Sequence, residues 1–407
     1  MPKKLLMLTY EFPPAGGGGV QRMTKFARYL SGCGWEPLVV TAGPVPGRAT
    51  DPSLAEEVRD VTVWRTPARN ASAAIARLLA PLKRLRRGSA AGPAVAPKTE
   101  GAHRPPLSAR LARYFTMDDA SLWVGPAVRL AVKLGREQGV AAVLASGPPF
   151  SVTLAGKRVA AELGVPLVVD LRDAWRDNPV AWFPDATARG KSEDVERDVM
   201  AAATVVTATT PTIAAEARSM GGVDVRHLPN GFDPSDVTAW RPASDGPLRL
   251  VFMGKVYRGL TEPWDLIAAI TRLRNTDPTA AVSLEIVGDA SQEVRDVARS
   301  AGIDVTFTGY LSHADAVERV ATADVALVLI ADRPGAGVHV PGKVFEYLGI
   351  GLPVLAIVPE HGEAAELIRT AKAGWVFPPH DVDGVAALLS RLSGDKRSGR
   401  RWAGPDA

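Results

Sequence analysis

Short apolar runs rich in β-branched residues alternate with helix-length amphipathic segments along almost the whole chain, and the alternation occurs twice with one break. Strand, helix and strand of the same kind close into a parallel sheet, which needs helices over both of its faces. The first series reads as strand over Leu5 to Leu8, helix over Val20 to Leu30, and strands over Pro37 to Thr41, Ala141 to Ala145, Pro166 to Asp170 and Thr204 to Ala208. Turn residues then cluster at Leu228-Pro229-Asn230-Gly231-Phe232-Asp233-Pro234, and a polar stretch runs on to Gly246-Pro247, which reads as an interdomain hinge. Beyond it come strands over Leu248 to Met253, Val282 to Val287, Val305 to Thr308, Val325 to Ile330 and Pro353 to Ile357. Helices are expected over Glu262 to Arg274, Gln292 to Ala301, Ala314 to Ala321, Gly342 to Gly349, Gly362 to Thr370 and Val382 to Leu392.

The expectation is an α/β protein of two Rossmann-like, doubly wound domains facing a cleft: residues 1–232 and 246–385, then a C-terminal helix and tail, 386–407, able to cross back to the first domain. A length of 407 residues is enough for two cores. The single cysteine, Cys33, excludes a disulfide framework and a multi-thiolate zinc site and fits a reducing compartment, so a cytoplasmic location is expected. The apolar run after Met1 is a strand rather than a leader, and no run reaches the roughly 20 apolar residues of a membrane span. A net charge of +4 suits an anionic ligand, whereas no aromatics interleave with the charge as nucleic-acid binding would require. Residues 68–113 break the rhythm and read as a mobile insert. Within it, Ala71 to Gly88 is either a solvated segment or a basic amphipathic helix making peripheral contact with the inner face of a membrane.

Four stretches carry chemistry. After the first strand, Gly16 to Gly19 lead into a helix, and glycines there let backbone N–H groups approach a phosphate or sugar. Gln21 stands where a dinucleotide fingerprint needs its third glycine, so a nicotinamide enzyme is not expected. The second domain repeats the geometry at Gly254, Lys255 and Arg258, whose cations suit a diphosphate. Lys343 and Glu346 stand three apart at a helix start, where the carboxylate can accept a ribose diol and the ammonium can hold phosphates; a surface ion pair is the plainer alternative. In Asp170-Leu171-Arg172-Asp173-Ala174-Trp175, Asp173 can meet an acceptor hydroxyl and Trp175 a sugar face, unless Arg172 simply bridges the acidic pair. His339 is the best placed histidine; His103 falls in the insert and the others read as incidental.

Three motifs in order, Tyr10-Glu11-Phe12-Pro13-Pro14 with the glycines and Val20-Gln21-Arg22, then Pro229-Asn230-Gly231-Phe232-Asp233, then Gly342-Lys343-Val344-Phe345-Glu346-Tyr347 with Gly351-Leu352-Pro353-Val354, resemble retaining glycosyltransferase family 4 of GT-B fold. The likeness is to bacterial members that build surface polysaccharides and glycoconjugates. The resemblance implies a nucleotide diphosphate sugar donor, UDP-linked by the family's habit, in the C-terminal domain. It implies a saccharide, lipid-linked or small-molecule acceptor in the N-terminal domain, front-face displacement with retention, and neither metal nor cofactor. It assigns Lys255 and Arg258 to the diphosphate and Glu346 to the ribose. Gly17, Gly18 and Gly19 fall to the phosphate and transferred sugar, and Gly309, Tyr310 and Leu311 to the base. Many members carry two glutamates seven residues apart; the first is Val338 here, which leaves His339 or Lys343 to contact the sugar. The strand end Ala145 to Pro149 also lacks the histidine often found near the sugar, so Lys255, Arg258 and Asp173 are the catalytic candidates, and Asp170, Arg172 and Trp175 the acceptor-binding ones. A nucleotide-sugar epimerase of the same fold and a non-catalytic binding subunit are the alternatives.

Overall fold

The apolar runs pair side by side into two all-parallel sheets in a computed structural model that describes residues 2–44, 49–78, 117–179 and 183–400. The first sheet uses β1 (Lys3–Leu8), β2 (Trp35–Ala42), β3 (Thr62–Thr66), β4 (Ala142–Gly147), β5 (Leu167–Leu171), β6 (Val205–Ala208) and β7 (Val225–His227), ordered β3-β2-β1-β4-β5-β6-β7. Its helices are α1 (Gly18–Leu30), α2 (Pro52–Glu57), α3 (Val124–Gln138), α4 (Ser151–Leu163), α5 (Ala186–Ala202) and α6 (Pro211–Ser219). The second sheet uses β8 (Leu248–Met253), β9 (Val282–Val287), β10 (Asp304–Phe307), β11 (Val325–Leu329), β12 (Val354–Ile357) and β13 (Gly374–Phe377), ordered β10-β9-β8-β11-β12-β13. Around it lie α7 (Trp264–Thr276), α8 (Gln292–Ser300), α9 (His313–Val320), α10 (Lys343–Ile350), α11 (Glu363–Thr370) and α12 (Val382–Arg397).

Both sheets are buried on both faces. Leu6 and Leu8 of β1 enter one core cluster, while Leu5 and Met7 enter the opposite one. In β8, Leu250 and Phe252 face one cluster and Val251 and Met253 the other. Chain order reverses beside β1, which pairs with both β2 and β4, and beside β8, which pairs with both β9 and β11. Such switch points open crevices at the carboxyl ends of the strands.

Strands β3, β7 and β13 lie at sheet edges, only three to five residues long, and escape the sequence reading. The C-terminal helix does not return to the first domain: α12 packs on α7, and Val385, Leu388, Leu389 and Leu392 complete the second domain's core. Lys396 Nζ fixes it there, 2.5 Å from Asp324 Oδ2 and donating to the Pro247 carbonyl at 2.9 Å. Residues 401–407 lie outside the described residues. The expected insert begins as anchored chain, with Ala68 against the first core and the buried Ala71 donating its N–H to Asp119 O at 2.9 Å. Residues 79–116, with most of the basic amphipathic stretch and His103, fall outside the description. Among the described residues, no helix is long and apolar enough to cross a membrane.

The hinge motif is held by Arg22 of α1, whose guanidinium donates to the carbonyls of Leu228 and Pro229, both at 3.0 Å, and to Asn230 Oδ1 at 3.2 Å. The same guanidinium is paired at 2.8 Å with fully buried Asp170, which also accepts from Ser146 Oγ at 2.7 Å and Thr207 Oγ1 at 2.8 Å. Burial opposes the charge on Asp170, but Arg22 and the two hydroxyls hold its carboxyl below the usual range.

Candidate active site

The first wall of the cleft is the loop between β1 and α1. Gly16 donates its N–H to Ala49 O at 2.9 Å and Asp51 donates to Pro14 O at 2.7 Å, which fastens this loop to the chain before α2. Gly17 lies at φ 110°, a conformation unfavourable for residues with a side chain, and Gly17, Gly18 and Gly19 are all exposed. No side chain caps α1, and while Val20 donates its N–H to Gly17 O at 3.0 Å, the N–H groups of Gly18 and Gly19 are left for an anionic ligand. Arg172, after β5, donates to the carbonyls of Gly19 and Pro148 and so ties the glycine loop to the next strand end. Burial pulls its guanidinium below the usual range, with Asp173 and Asp170 opposing.

The second wall is the N-terminus of α10, which also lacks a side-chain cap. Tyr347, fully buried, accepts the Met253 N–H at 2.9 Å and locks α10 to the end of β8. Lys343 then lies with Nζ 3.4 Å from the Phe252 ring centroid, and a side chain on Gly254 (φ 109°) would meet that ammonium at 3.6 Å. Desolvation pulls the Lys343 pKa down to about 7, with Glu346 opposing. The other two predicted cations face outward: Lys255 Nζ lies 5.6 Å from the Tyr257 ring, and Arg258 pairs at 3.5 Å with Glu293 of α8, both side chains more than half exposed.

Across the cleft, His339 Nδ1 of the second domain stands 3.5 Å from Asp173 Oδ1 of the first, each about a third exposed. Burial acts to raise the Asp173 pKa, but His339 and then Arg172 hold it below the usual range. Val338, where a glutamate was expected, packs against the first domain's core, and a Cβ on Gly335 would collide with the Asp177 carbonyl. Glu363 of α11 accepts from the Thr212 N–H at 2.8 Å and hydroxyl at 2.6 Å, closing the same seam.

Two of the residues expected to bind acceptor belong to the scaffold instead. The carboxylate oxygens of Asp170 are occupied by Arg22, Ser146 and Thr207, and Trp175 is buried, stacked on Phe150 at 4.5 Å and donating to Ser192 Oγ at 3.1 Å. Tyr310 is part exposed beside Leu311; its hydroxyl lies 3.3 Å from Asp51 Oδ2, and the phenol pKa is raised to about 12 by burial and by Asp51.

The histidine that sequence reasoning passed over is His313. Its Nε2–H donates to Glu346 Oε1 at 2.7 Å and its backbone N–H to Asp51 Oδ2 at 2.8 Å. The available signal was its position just after Gly309-Tyr310-Leu311, at the start of a helix following a strand.

Two parallel-sheet domains whose switch points and uncapped helix ends line one cleft define the GT-B fold. A family model for a glycosyl transferase 4-like domain matches residues 17–231, and one for glycosyl transferases group 1 matches residues 247–395. The chain belongs to the glycosyl transferase 4-like family. Among solved structures it is similar to sucrose-phosphate synthase from Thermosynechococcus elongatus, at 15% identity over 98% of this chain and 92% of that one, TM-score 0.65. It is also similar to the lipopolysaccharide outer core galactosyltransferase WaaB in apo form, at 13% identity, coverages of 98% and 92%, and TM-score 0.58. A third likeness is to a variant of S. aureus TarM in complex with fondaparinux, α-GlcNAc-glycerol and UDP, at 11% identity, coverages of 98% and 94%, and TM-score 0.60. At such identities the likeness shows the fold alone. A search of curated protein sequences finds no match.

Proposed function

We propose that the protein is a retaining glycosyltransferase that moves a sugar from a nucleoside diphosphate, with uridine the first base to test, to a hydroxyl of a glycan, lipid-linked or small-molecule acceptor. The observation that carries this reading is the pairing of Lys343 and Glu346 at an uncapped helix end with an uncapped, glycine-lined helix end in the other domain. A diphosphate suits Lys343 and the positive N-terminal end of α10, and a ribose diol suits Glu346. Lys255 and Arg258 stand in the neighbouring loop, where release from Tyr257 and Glu293 would bring two more cations to the phosphates.

In the proposed reaction the acceptor oxygen bonds to the anomeric carbon on the face the phosphate leaves, as the carbon–phosphate-oxygen bond breaks. The hydroxyl proton passes to the departing phosphate, so no nucleophilic side chain is required. Lys343 and the helix N-terminus stabilise the charge that develops on the diphosphate. Asp173 accepts a hydrogen bond from a neighbouring hydroxyl of the acceptor and so orients the attacking one, while His339 holds the carboxylate at the seam. The test is incubation with UDP-, GDP-, ADP- and TDP-sugars, with and without an acceptor panel, followed by mass spectrometry and NMR of the products. Acceptor-dependent release of nucleoside diphosphate and an unchanged anomeric configuration are expected. Inversion, or a changed sugar nucleotide formed without acceptor, would overturn the proposal.

A further inference from the structure

Glu346 does not stand alone in the cleft: it ends a line of polar contacts that begins in the other domain. In the first domain, Lys25 Nζ of α1 lies 2.5 Å from Glu57, 3.1 Å from Asp233 and 2.5 Å from Asp236. Asp233 also accepts from the Tyr29 hydroxyl at 2.6 Å. Asp236 Oδ2 lies 3.9 Å from His313 Nδ1, and the other ring nitrogen donates to Glu346 at 2.7 Å. A second tie reaches the same residue, because buried Asp51 accepts the His313 backbone N–H. The imidazole and the carboxylate are each only about a tenth exposed, so each lacks the solvent that would otherwise satisfy it.

We propose that His313 is a positioning residue: it fixes Glu346 in the orientation that receives a ribose, and its own anchors to Asp51 and Asp236 make the first domain part of the nucleotide site. Glu346 stands at the start of α10 and His313 at the start of α9, so neither helix alone sets the direction of the carboxylate. The bond between them does. A ribose diol then meets a carboxylate already aligned, with one oxygen held by His313 and the other open, and less side-chain entropy is lost on binding.

The groups facing the imidazole are Glu346 from α10, Asp236 from the hinge, Lys25 from α1, and Asp51 and Tyr310 around its backbone. Burial lowers its pKa and Lys25 opposes a charge, yet Glu346 and Asp236 outweigh both, and the ring titrates above its ordinary value. The charged form of the pair therefore persists to a higher pH than a free imidazolium would and is lost as pH rises through the raised pKa.

The inference rests on reading this cleft as a nucleotide site, and the experiment separates the two. The full chain and its His313→Ala, His313→Gln, Glu346→Ala and doubly substituted (His313→Ala, Glu346→Ala) forms are titrated calorimetrically with UDP, GDP, ADP and TDP from pH 6 to 9. Melting temperatures are recorded alongside. One nucleotide should bind the wild type, roughly tenfold weaker to His313→Ala and roughly thirtyfold weaker to Glu346→Ala, and no weaker to the double variant than to Glu346→Ala. His313→Gln, whose amide can still donate, should recover part of the loss and keep the proposal testable if the alanine variant is unstable. The wild-type affinity should fall with rising pH through the titrations of both Lys343 and His313, and both single variants at position 313 should keep only the part that Lys343 contributes. Multiplying losses, or an unchanged dissociation constant in folded His313→Ala, would overturn the positioning role alone. Silence of the wild type toward all four nucleotides would overturn the nucleotide site and the positioning role with it.

Discussion

The two domains present the same device to the cleft, a strand end, a glycine turn and an uncapped helix, yet they place their charges differently. In the first domain the strongest pair, Arg22 with Asp170, is buried behind the glycine loop and holds the hinge motif, and the loop itself offers backbone only. In the second domain Lys343 and Glu346 remain at the helix end, one lodged on an aromatic ring and the other held by a histidine. A buried pair with every oxygen satisfied supports structure, whereas a cation depleted of solvent and short of hydrogen-bond partners suits a ligand. The contrast fits an acceptor half built from shape and a donor half built from charge.

The contrast breaks most readily at Asp170. Asp170→Ala should cost about 3–5 kcal/mol of stability in denaturant unfolding, because it leaves Arg22 unpaired and loosens the hinge. Loss of turnover with full stability would instead make Asp170 a substrate residue. Asp173→Ala should leave stability and nucleotide affinity near wild type while lowering kcat roughly 30- to 100-fold, the equivalent of about 2–3 kcal/mol for a charged hydrogen bond to the acceptor.

Lys343 gives the smallest and sharpest contrast. With its pKa drawn down to about 7, the free protein loses this cation as pH rises from 6.5 to 8, so diphosphate affinity should weaken roughly three- to tenfold over that range. Lys343→Met should bind weakly and keep only the shallower dependence that His313 sets. The stability sign is the reverse: a depressed folded pKa penalises the charged form, so the wild type should gain stability relative to Lys343→Met between about pH 7 and 10.

Much of the fold was legible because its central strands are continuous apolar runs, as in Leu248–Met253 and Val282–Val287, whose sequence-read limits coincide with the structure. The edge strands β3, β7 and β13 were not, since only part of each is buried and a few residues carry no period. At the site, the glycine loop and the residues of α10 were readable from local order, strand end to helix start. The division of labour within Asp170-Leu171-Arg172-Asp173-Ala174-Trp175 was not, because Asp170 still belongs to β5 and meets Arg22, 148 residues away, while Asp173 lies beyond the strand at the cleft. The role of His313 was hidden for the same reason: its place after Gly309-Tyr310-Leu311 was readable, but its partners Glu346 and Asp51 are 33 and 262 residues distant, and nothing in its neighbours marks them.

The most direct test of the central claim is calorimetric titration of wild type and Glu346→Ala with UDP, GDP, ADP and TDP. One nucleotide should bind the wild type, and the variant should lose about 2 kcal/mol, roughly thirtyfold, through loss of charged hydrogen bonds to the ribose. Equal affinities in a folded variant, or no binding to either protein, would contradict a donor site at the start of α10.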